Sequence, residues 1–403
     1  MKLHVVPNAI LCLVLAAVTQ SALGQTFSVI HNFNGQDGSS PEGRLAMDKA
    51  GSLYGTSYVG GPGYGTVFKL SPHGSGWIFA TLYNFTGGGD GANPSNGVVF
   101  GPDGSFYGTT SYTVFNLKPS PTRPPTVFSP WRLTTLYEFQ GILDGFEPYG
   151  DLVFDQAGNI YGATLLGGQG CYEGCGIVYE LTPSNGSWTK TVLYYFTGAN
   201  DGLGPTGVMF DQAGDLYGTA FNGGTYGAGT IFKLTPSGSG WMGSALYSFD
   251  PDGNSGYFPE AELISDAAGN YYGSTSNGPG NSGTIFELSP SNGAWTYTVL
   301  YQLPSKYDGG PAAPLTMDAA GNLYGTINGA CGGGGCSGAV FKLTPGSGGW
   351  TFASLHDFTN GSDGGHPLSN VVIDANGNLY GTASEGGTGC SGNGCGVVWK
   401  ITP

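Results

Sequence analysis

The 403-residue chain carries 12 basic against 27 acidic residues, a formal net charge of −15, which argues against nucleic acid or an anionic membrane surface as partner. With 76 glycines, 24 tyrosines, 22 phenylalanines and only 10% charged residues, its composition favours turns and strands over helices. No apolar stretch approaches the roughly 20 residues that a transmembrane helix needs.

In chain order, Lys2 precedes an apolar run from Ala9 to Val18 and small residues at Ala22 and Gly24. This is the pattern of a secretory signal peptide over residues 1–24, so a mature chain beginning at Gln25 is expected in an extracellular or periplasmic compartment. Cys12 lies in that run behind Leu11, not behind a small residue, and does not read as a lipid-attachment cysteine. The other six cysteines form three short pairs, Cys171 with Cys175, Cys331 with Cys336 and Cys390 with Cys395, each at the same place in a repeat. In an oxidising compartment they read as local disulfides pinning glycine-rich loops. The alternatives are a thiolate metal site, which would need two pairs brought together, and free thiols.

Asp318-Ala319-Ala320-Gly321-Asn322-Leu323-Tyr324-Gly325-Thr326 recurs in close copies. Its Tyr-Gly pair falls at Tyr54, Tyr107, Tyr161, Tyr217, Tyr272, Tyr324 and Tyr380, 52 to 56 residues apart. In the sixth copy four extended stretches follow one another: Leu315–Met317, Asn322–Thr326, Gly338–Leu343 and Trp350–Phe358. Asp318 to Gly321 reads as a hairpin turn, and Thr344 to Gly349 as a second turn in which Pro345 is expected to end the strand. Four antiparallel strands per period, seven times over, predict an all-β, seven-bladed β-propeller as a single domain over residues 25–403. The seventh copy stops after its third strand at Trp399 to Pro403, and Thr26–Phe33 matches the missing fourth, so the N-terminal strand is expected to close the ring. The second copy, with Gly101-Pro102-Asp103-Gly104 and a very short loop after Thr110, and the fifth, lengthened after Asp250-Pro251-Asp252-Gly253, are the least regular.

Lettering the strands a to d outward from the axis puts the a–b and c–d turns on one face and the b–c loops and d–a links on the other. The second face varies in length, holds every cysteine pair and carries Tyr58, Tyr64, Tyr172, Glu173, Phe221, Tyr226 and Glu385, so it is the candidate ligand-binding face. Its links also hold seven Asp-Gly pairs at Asp37, Asp90, Asp144, Asp201, Asp252, Asp308 and Asp363, which read as turn chemistry, with a calcium-binding carboxylate ring as the sharper alternative. No other cofactor is implied. Asp48, Asp155, Asp211, Asp266, Asp318 and Asp374 cap hairpins. Glu42, Glu147, Asp151, Glu260 and Glu262, near the starts of innermost strands, stand outside the repeat; Glu147, Glu260 and Glu262 are the weak catalytic candidates. His31 and His356 occupy a tyrosine slot and read as packing substitutes, His73 lies in a turn, and His366 sits on the candidate face. The repeated tyrosines read as wedges between blades, and Trp77, Trp131, Trp188, Trp241, Trp295 and Trp350 as structural openers of the fourth strand.

Gly-Asn-Leu-Tyr-Gly-Thr at 321–326 and 377–382, Gly-Thr-Val-Phe-Lys-Leu-Ser-Pro at 65–72 and Leu-Tyr-Asn-Phe before Asp90-Gly91 resemble the GloVer (Gloeobacter/Verrucomicrobia-type) tandem repeat of secreted and surface proteins. The resemblance spans essentially the whole mature chain. It implies a bacterial repeat protein of no established biochemical activity; many members carry C-terminal anchoring segments, and this sequence departs from them in ending at Pro403. The expected function is that of a non-enzymatic binding or scaffold module, monomeric, for a glycan, a peptide or a cell-envelope component. The alternatives are a polysaccharide-active hydrolase or lyase working near the axis of the loop face, and a purely structural envelope protein.

Overall fold

The computed structural model describes residues 24–120, 131–238, 240–331 and 337–403. The expected signal peptide, apart from Gly24, lies outside the described residues, as do Cys336 and the side chains of Cys331 and Asp308. The chain forms seven antiparallel sheets, each with the strand order of one blade. Blade 1 runs Ala46–Met47, Leu53–Ser57, Thr66–His73 and Gly76–Asn84. Blades 2 to 6 follow in sequence, and blade 7 combines Val372–Ile373, Leu379–Ala383 and Val397–Thr402 with the N-terminal Thr26–Asn32. There Thr26 pairs with Thr402 and Asn32 with Val397, so the two ends of the chain close the ring in one sheet. Among the described residues the one helical element is a short 3-10 turn at Pro279–Asn281.

Each part of Tyr-Gly-Thr has a separate mechanical task. The tyrosine is a wedge: Tyr54 packs with Val98, Phe106 and Phe115 of blade 2, and Tyr380 with Leu45, Leu53 and Phe68 of blade 1. The same relation holds at every seam, so each hydrophobic cluster joins two blades and the ring has no internal boundary. Its hydroxyl turns outward to the hairpin aspartate, as in Tyr324 to Asp318 at 3.1 Å, while the other Asp318 oxygen accepts the backbone N–H of Ala320 and Asn322. Burial alone would raise the Asp318 carboxyl, but these donors outweigh it and hold the group below its ordinary value. The glycine lies under the buried c-strand aromatic of its own blade, Gly325 under Phe341 and Gly55 under Phe68. In blades 1, 4 and 6 the threonine hydroxyl reaches the next blade, Thr56 to the Asn96 carbonyl at 3.1 Å, Thr219 to the Ala261 carbonyl at 2.8 Å and Thr326 to the Ser369 carbonyl at 2.9 Å.

Two details differ from the sequence expectation. The c–d hairpin of blade 6 runs through its proline, with Pro345 opposite Trp350 and Gly346 opposite Gly349. In a two-residue hairpin the closing pair exchanges hydrogen bonds and the next pair does not, so the missing N–H of Pro345 faces away from its partner. Strand b has already ended at that level, with Leu323 opposite Leu343, so no ladder bond is lost. His31 and His356 pack as expected, stacked on Phe79 at 4.0 Å and on Phe27 at 3.6 Å, and each also contacts a link carboxylate, Asp37 at 3.2 Å and Asp363 at 3.1 Å. His356 thus replaces the hydrogen-bonding role of the tyrosine as well as its volume, while His31 meets Asp37 as a charge contact.

Blade 3 places Tyr179 where five other blades place phenylalanine, and its hydroxyl is fully buried with no hydrogen-bond partner. Burial pushes its pKa far up. Tyr179→Phe is therefore expected to raise stability by about 1 kcal/mol, read as a higher urea midpoint at unchanged slope.

Candidate functional site: the axial pocket

Each a strand enters from the loop face after a proline, Pro41, Pro94, Pro148, Pro205, Pro259, Pro311 and Pro367. The residue one position on forms a layer at the mouth of the axis, and the residue three positions on forms a layer beneath it except in blade 4, where Val208 turns into the core between blades. Only blades 1, 3 and 5 put ionisable side chains in both layers: Glu42 and Arg44, Tyr149 and Asp151, Glu260 and Glu262. All seven blades line the resulting cavity of about 100 Å³.

The lower layer is cross-linked across the axis. Arg44 Nη1 lies 2.5 Å from Asp151 Oδ2 and Arg44 Nη2 lies 2.7 Å from Glu262 Oε2, so one guanidinium ties blade 1 to blades 3 and 5. The second oxygen of Glu262 accepts the Asp151 backbone N–H. To reach that far, Glu262 crosses Gly207 of blade 4 and lies against Gly150 of blade 3, and an added Cβ at either would collide with its carboxylate. Blade 4 permits the crossing because its a strand is one residue shorter between Pro205 and Asp211 than the other six. Asn96 adds a tie between blades 2 and 3, donating to the Pro148 carbonyl at 3.0 Å and accepting from the Gly150 N–H at 3.2 Å.

The upper layer is less satisfied. Among the described residues Glu42 has neither an ion-pair nor a hydrogen-bond partner, and burial pushes its carboxyl up to about 7. Burial likewise raises Glu260, against a weaker pull from Ser276. Glu262 is also raised to about 7, because its loss of water and the neighbouring Asp151 outweigh Arg44. Tyr149 is pushed up to about 12 by burial and by Glu260. Beside this layer an apolar slot of about 190 Å³ lies between Tyr149, Leu165, Thr206, Phe221 and Glu260. Phe258 supports it, its ring 5.1 Å from that of Phe221.

Glu42 carries a consequence for stability. A carboxyl raised in the folded state holds its proton there while the unfolded chain releases it, so the favourable contribution is complete below about pH 4.5 and is lost as pH rises through about 7. Glu42→Gln should therefore gain stability over the parent progressively between pH 5 and 7.5 and differ little at pH 5, measured as paired melting temperatures.

The structure brings Glu260 and Glu262 together at the axis, as it does Glu42 and Asp151, and leaves Glu147 outside the pocket lining. Glu147 takes a left-handed φ of 56° before Pro148, as Ser40, Asn93, Phe258 and His366 do before their prolines, so it serves the turn into the innermost strand. Of the candidate face residues only Phe221 reaches the axial slot. Tyr64, Tyr226 and the almost fully exposed Tyr172 stand on outer loops with Glu173, while Glu385 accepts from Asn360 at 3.2 Å. Disulfides join Cys171 to Cys175 and Cys390 to Cys395, whose second members sit in the core. The third expected bridge, from Cys331 to Cys336, falls outside the described residues: Cys336 is not among them, and only the backbone of Cys331, the last residue of strand Leu323–Cys331, is described. Among the link aspartates, Asp90 accepts from Tyr83 and Thr86, Asp144 from Tyr137, and Asp201 from Tyr194 and Thr197. No three described acids, histidines or cysteines are placed to share a metal ion. Sequence reasoning did not single out Arg44, Asn96, Tyr149 and Thr206; aligning the blades on the proline would have found Arg44 and Tyr149, whose positions hold ionisable groups only in blades 1, 3 and 5.

The model of the Gloeobacter/Verrucomicrobia repeat matches residues 17–186 and 169–399. The chain belongs to this repeat family, and its fold is a seven-bladed β-propeller. Among curated proteins nothing matches. Solved structures with a similar fold include the extracellular domains of BT4673 and BT3049 from B. thetaiotaomicron, both assigned to hybrid two-component systems. They are 10% and 14% identical with TM-scores of 0.57 and 0.55, and each alignment covers 94% of this chain. The chain spans only 42% and 41% of the length of those two. A Bacteroides uniformis protein assigned as a 6-phosphogluconolactonase aligns at 14% identity and a TM-score of 0.51, covering 81% of this chain and 86% of its own. At such identities the likeness concerns the fold alone.

Proposed function

We propose that the protein is a secreted, non-enzymatic binding propeller that takes its ligand, a glycan, a peptide or a cell-envelope component, at the axial mouth of the loop face. The observation that carries this reading is the contrast between the two axial layers. The lower one is cross-paired, while the upper one presents desolvated carboxyls beside an apolar slot, the combination of a few polar groups and an apolar wall that defines small-ligand sites. Two disulfides support residence in an oxidising compartment, and among the described residues no helix is long and apolar enough to cross a membrane.

The test is an array of glycans and peptides probed with the protein and with Phe221→Ala and Glu260→Gln. Binding that falls at least tenfold in both variants, with melting temperatures preserved, supports the axial site. Binding indifferent to both overturns it. A second reading, a polysaccharide-active hydrolase or lyase, is favoured by Glu42 and Glu262, which burial raises to about 7, so that each is protonated in part near neutrality as a general acid requires. Under that reading Glu42→Gln, Glu260→Gln or Glu262→Gln would abolish a measurable polysaccharide turnover by orders of magnitude.

A further inference from the structure

Deepening the axial-site reading and resting on it, we infer that the ligand presents a primary ammonium on an aliphatic stem, as at the end of a lysine side chain in a peptide. The ammonium enters the cavity lined by Glu42 and Glu260, and the stem lies in the slot between Tyr149 and Phe221.

Charge is the first ground. The cavity is lined or bordered by four carboxyl groups, Glu42, Asp151, Glu260 and Glu262, against one cation, Arg44. That guanidinium is already engaged by Asp151 and Glu262 from the lower layer. The upper carboxyls therefore have no counter-charge among the described residues, and an anionic ligand would meet them unscreened. A desolvated carboxyl either keeps its proton or gains a cation, and an arriving ammonium supplies the cation together with three N–H donors.

Size and polarity are the second ground, independent of charge. At about 100 Å³ the cavity has room for an aminomethyl group beside the carboxyls. The adjoining slot is larger, about 190 Å³, and its walls are the Tyr149 and Phe221 rings and Leu165. Thr206 and Glu260 are its other polar side chains, and the Thr206 hydroxyl is already bonded to Thr219 at 2.6 Å. A hydroxyl-rich ring would leave its own donors unmatched there, whereas a methylene stem loses nothing. The aromatic faces add attraction for the cation as it passes. A bare metal ion fits less well, since no three described acids are placed to share one.

The experiment is titration calorimetry on the full chain with Nα-acetyl-lysine amide and its neutral isostere Nα-acetyl-norleucine amide, alongside glucosamine. Expected is at least tenfold tighter binding of the lysine derivative, reduced at least tenfold by Glu42→Gln and by Glu260→Gln with folding confirmed by unchanged circular dichroism. Repeated at pH 6.5 in buffers of different ionisation enthalpy, binding should release protons, because the ammonium ionises Glu42 within its surroundings of Arg44, Tyr149, Asp151, Glu260 and Glu262. Equal binding of the isostere, tighter binding of glucosamine, absence of proton release, or no binding of the lysine derivative overturns the inference. If an array ligand is nevertheless lost on Phe221→Ala, the axial-site reading stands without it. If array binding ignores both Phe221→Ala and Glu260→Gln, that reading itself fails.

Discussion

Arg44→Met should destabilise the protein by about 3–5 kcal/mol near pH 8, the usual cost of removing one partner from a buried ion pair. The reason lies in what is left behind. Asp151 and Glu262 would face each other across the axis without the guanidinium that now touches both, and Glu262 would stay fixed by its hydrogen bond to the Asp151 backbone. Glu262 is already raised to about 7 with Arg44 present, and without that cation it would hold its proton more tightly. Groups raised in the folded state bind more protons there than when unfolded, so stability is recovered as pH falls. The penalty should therefore shrink on going from pH 8 to pH 5, measured by denaturant midpoints at each. Combining Arg44→Met with Asp151→Asn and Glu262→Gln removes the orphaned charges, while the amide oxygen introduced by the last substitution retains an acceptor for the backbone N–H. That triple variant should regain most of the loss at pH 8. If the single variant melted like the parent at both pH values, the axial tripod would not be a strut.

The scaffold was legible because its signals repeat. A spacing of 52 to 56 residues between seven Tyr-Gly pairs leaves little freedom in fold, and the match of Thr26–Phe33 to a missing fourth strand specified the closure that Thr26 and Thr402 realise. The site was legible only in part, for the opposite reason. Glu42, Asp151, Glu260 and Glu262 drew attention as acids outside the repeat, but 220 residues separate Glu42 from Glu262, and no local pattern says that they share a cavity. Arg44 was passed over because a lone arginine carries no motif. Its role follows from a ring that returns every a strand to the same axis. The proline hairpins show a different limit. Proline usually ends a strand, but that rule gives way where the ladder partner has already turned off.

Gly325→Ala should cost about 1–3 kcal/mol or more, although alanine is ordinarily at home in a strand and this glycine has no left-handed φ to defend. The added Cβ would lie 2.7 and 2.8 Å from Phe341 Cζ and Cε1 and 3.1 Å from Leu315 Cδ2. Phe341 is fully buried with its ring stacked 5.8 Å from that of Phe352, and Leu315 is held in the same cluster, so neither can retreat without disturbing the seam to Tyr272. Gly348→Ala is the control. There the Cβ meets nothing within 4 Å, and the usual gain from restricting the unfolded chain should leave stability unchanged or slightly higher. Adding Phe341→Leu to Gly325→Ala should recover part of the loss, because removing the ring tip removes the collision. Because an aromatic lies over the equivalent glycine in every blade, the same asymmetry between the two kinds of glycine should hold around the ring. A Gly325→Ala midpoint equal to that of Gly348→Ala would mean that the insistence of Tyr-Gly in this sequence has a cause other than packing.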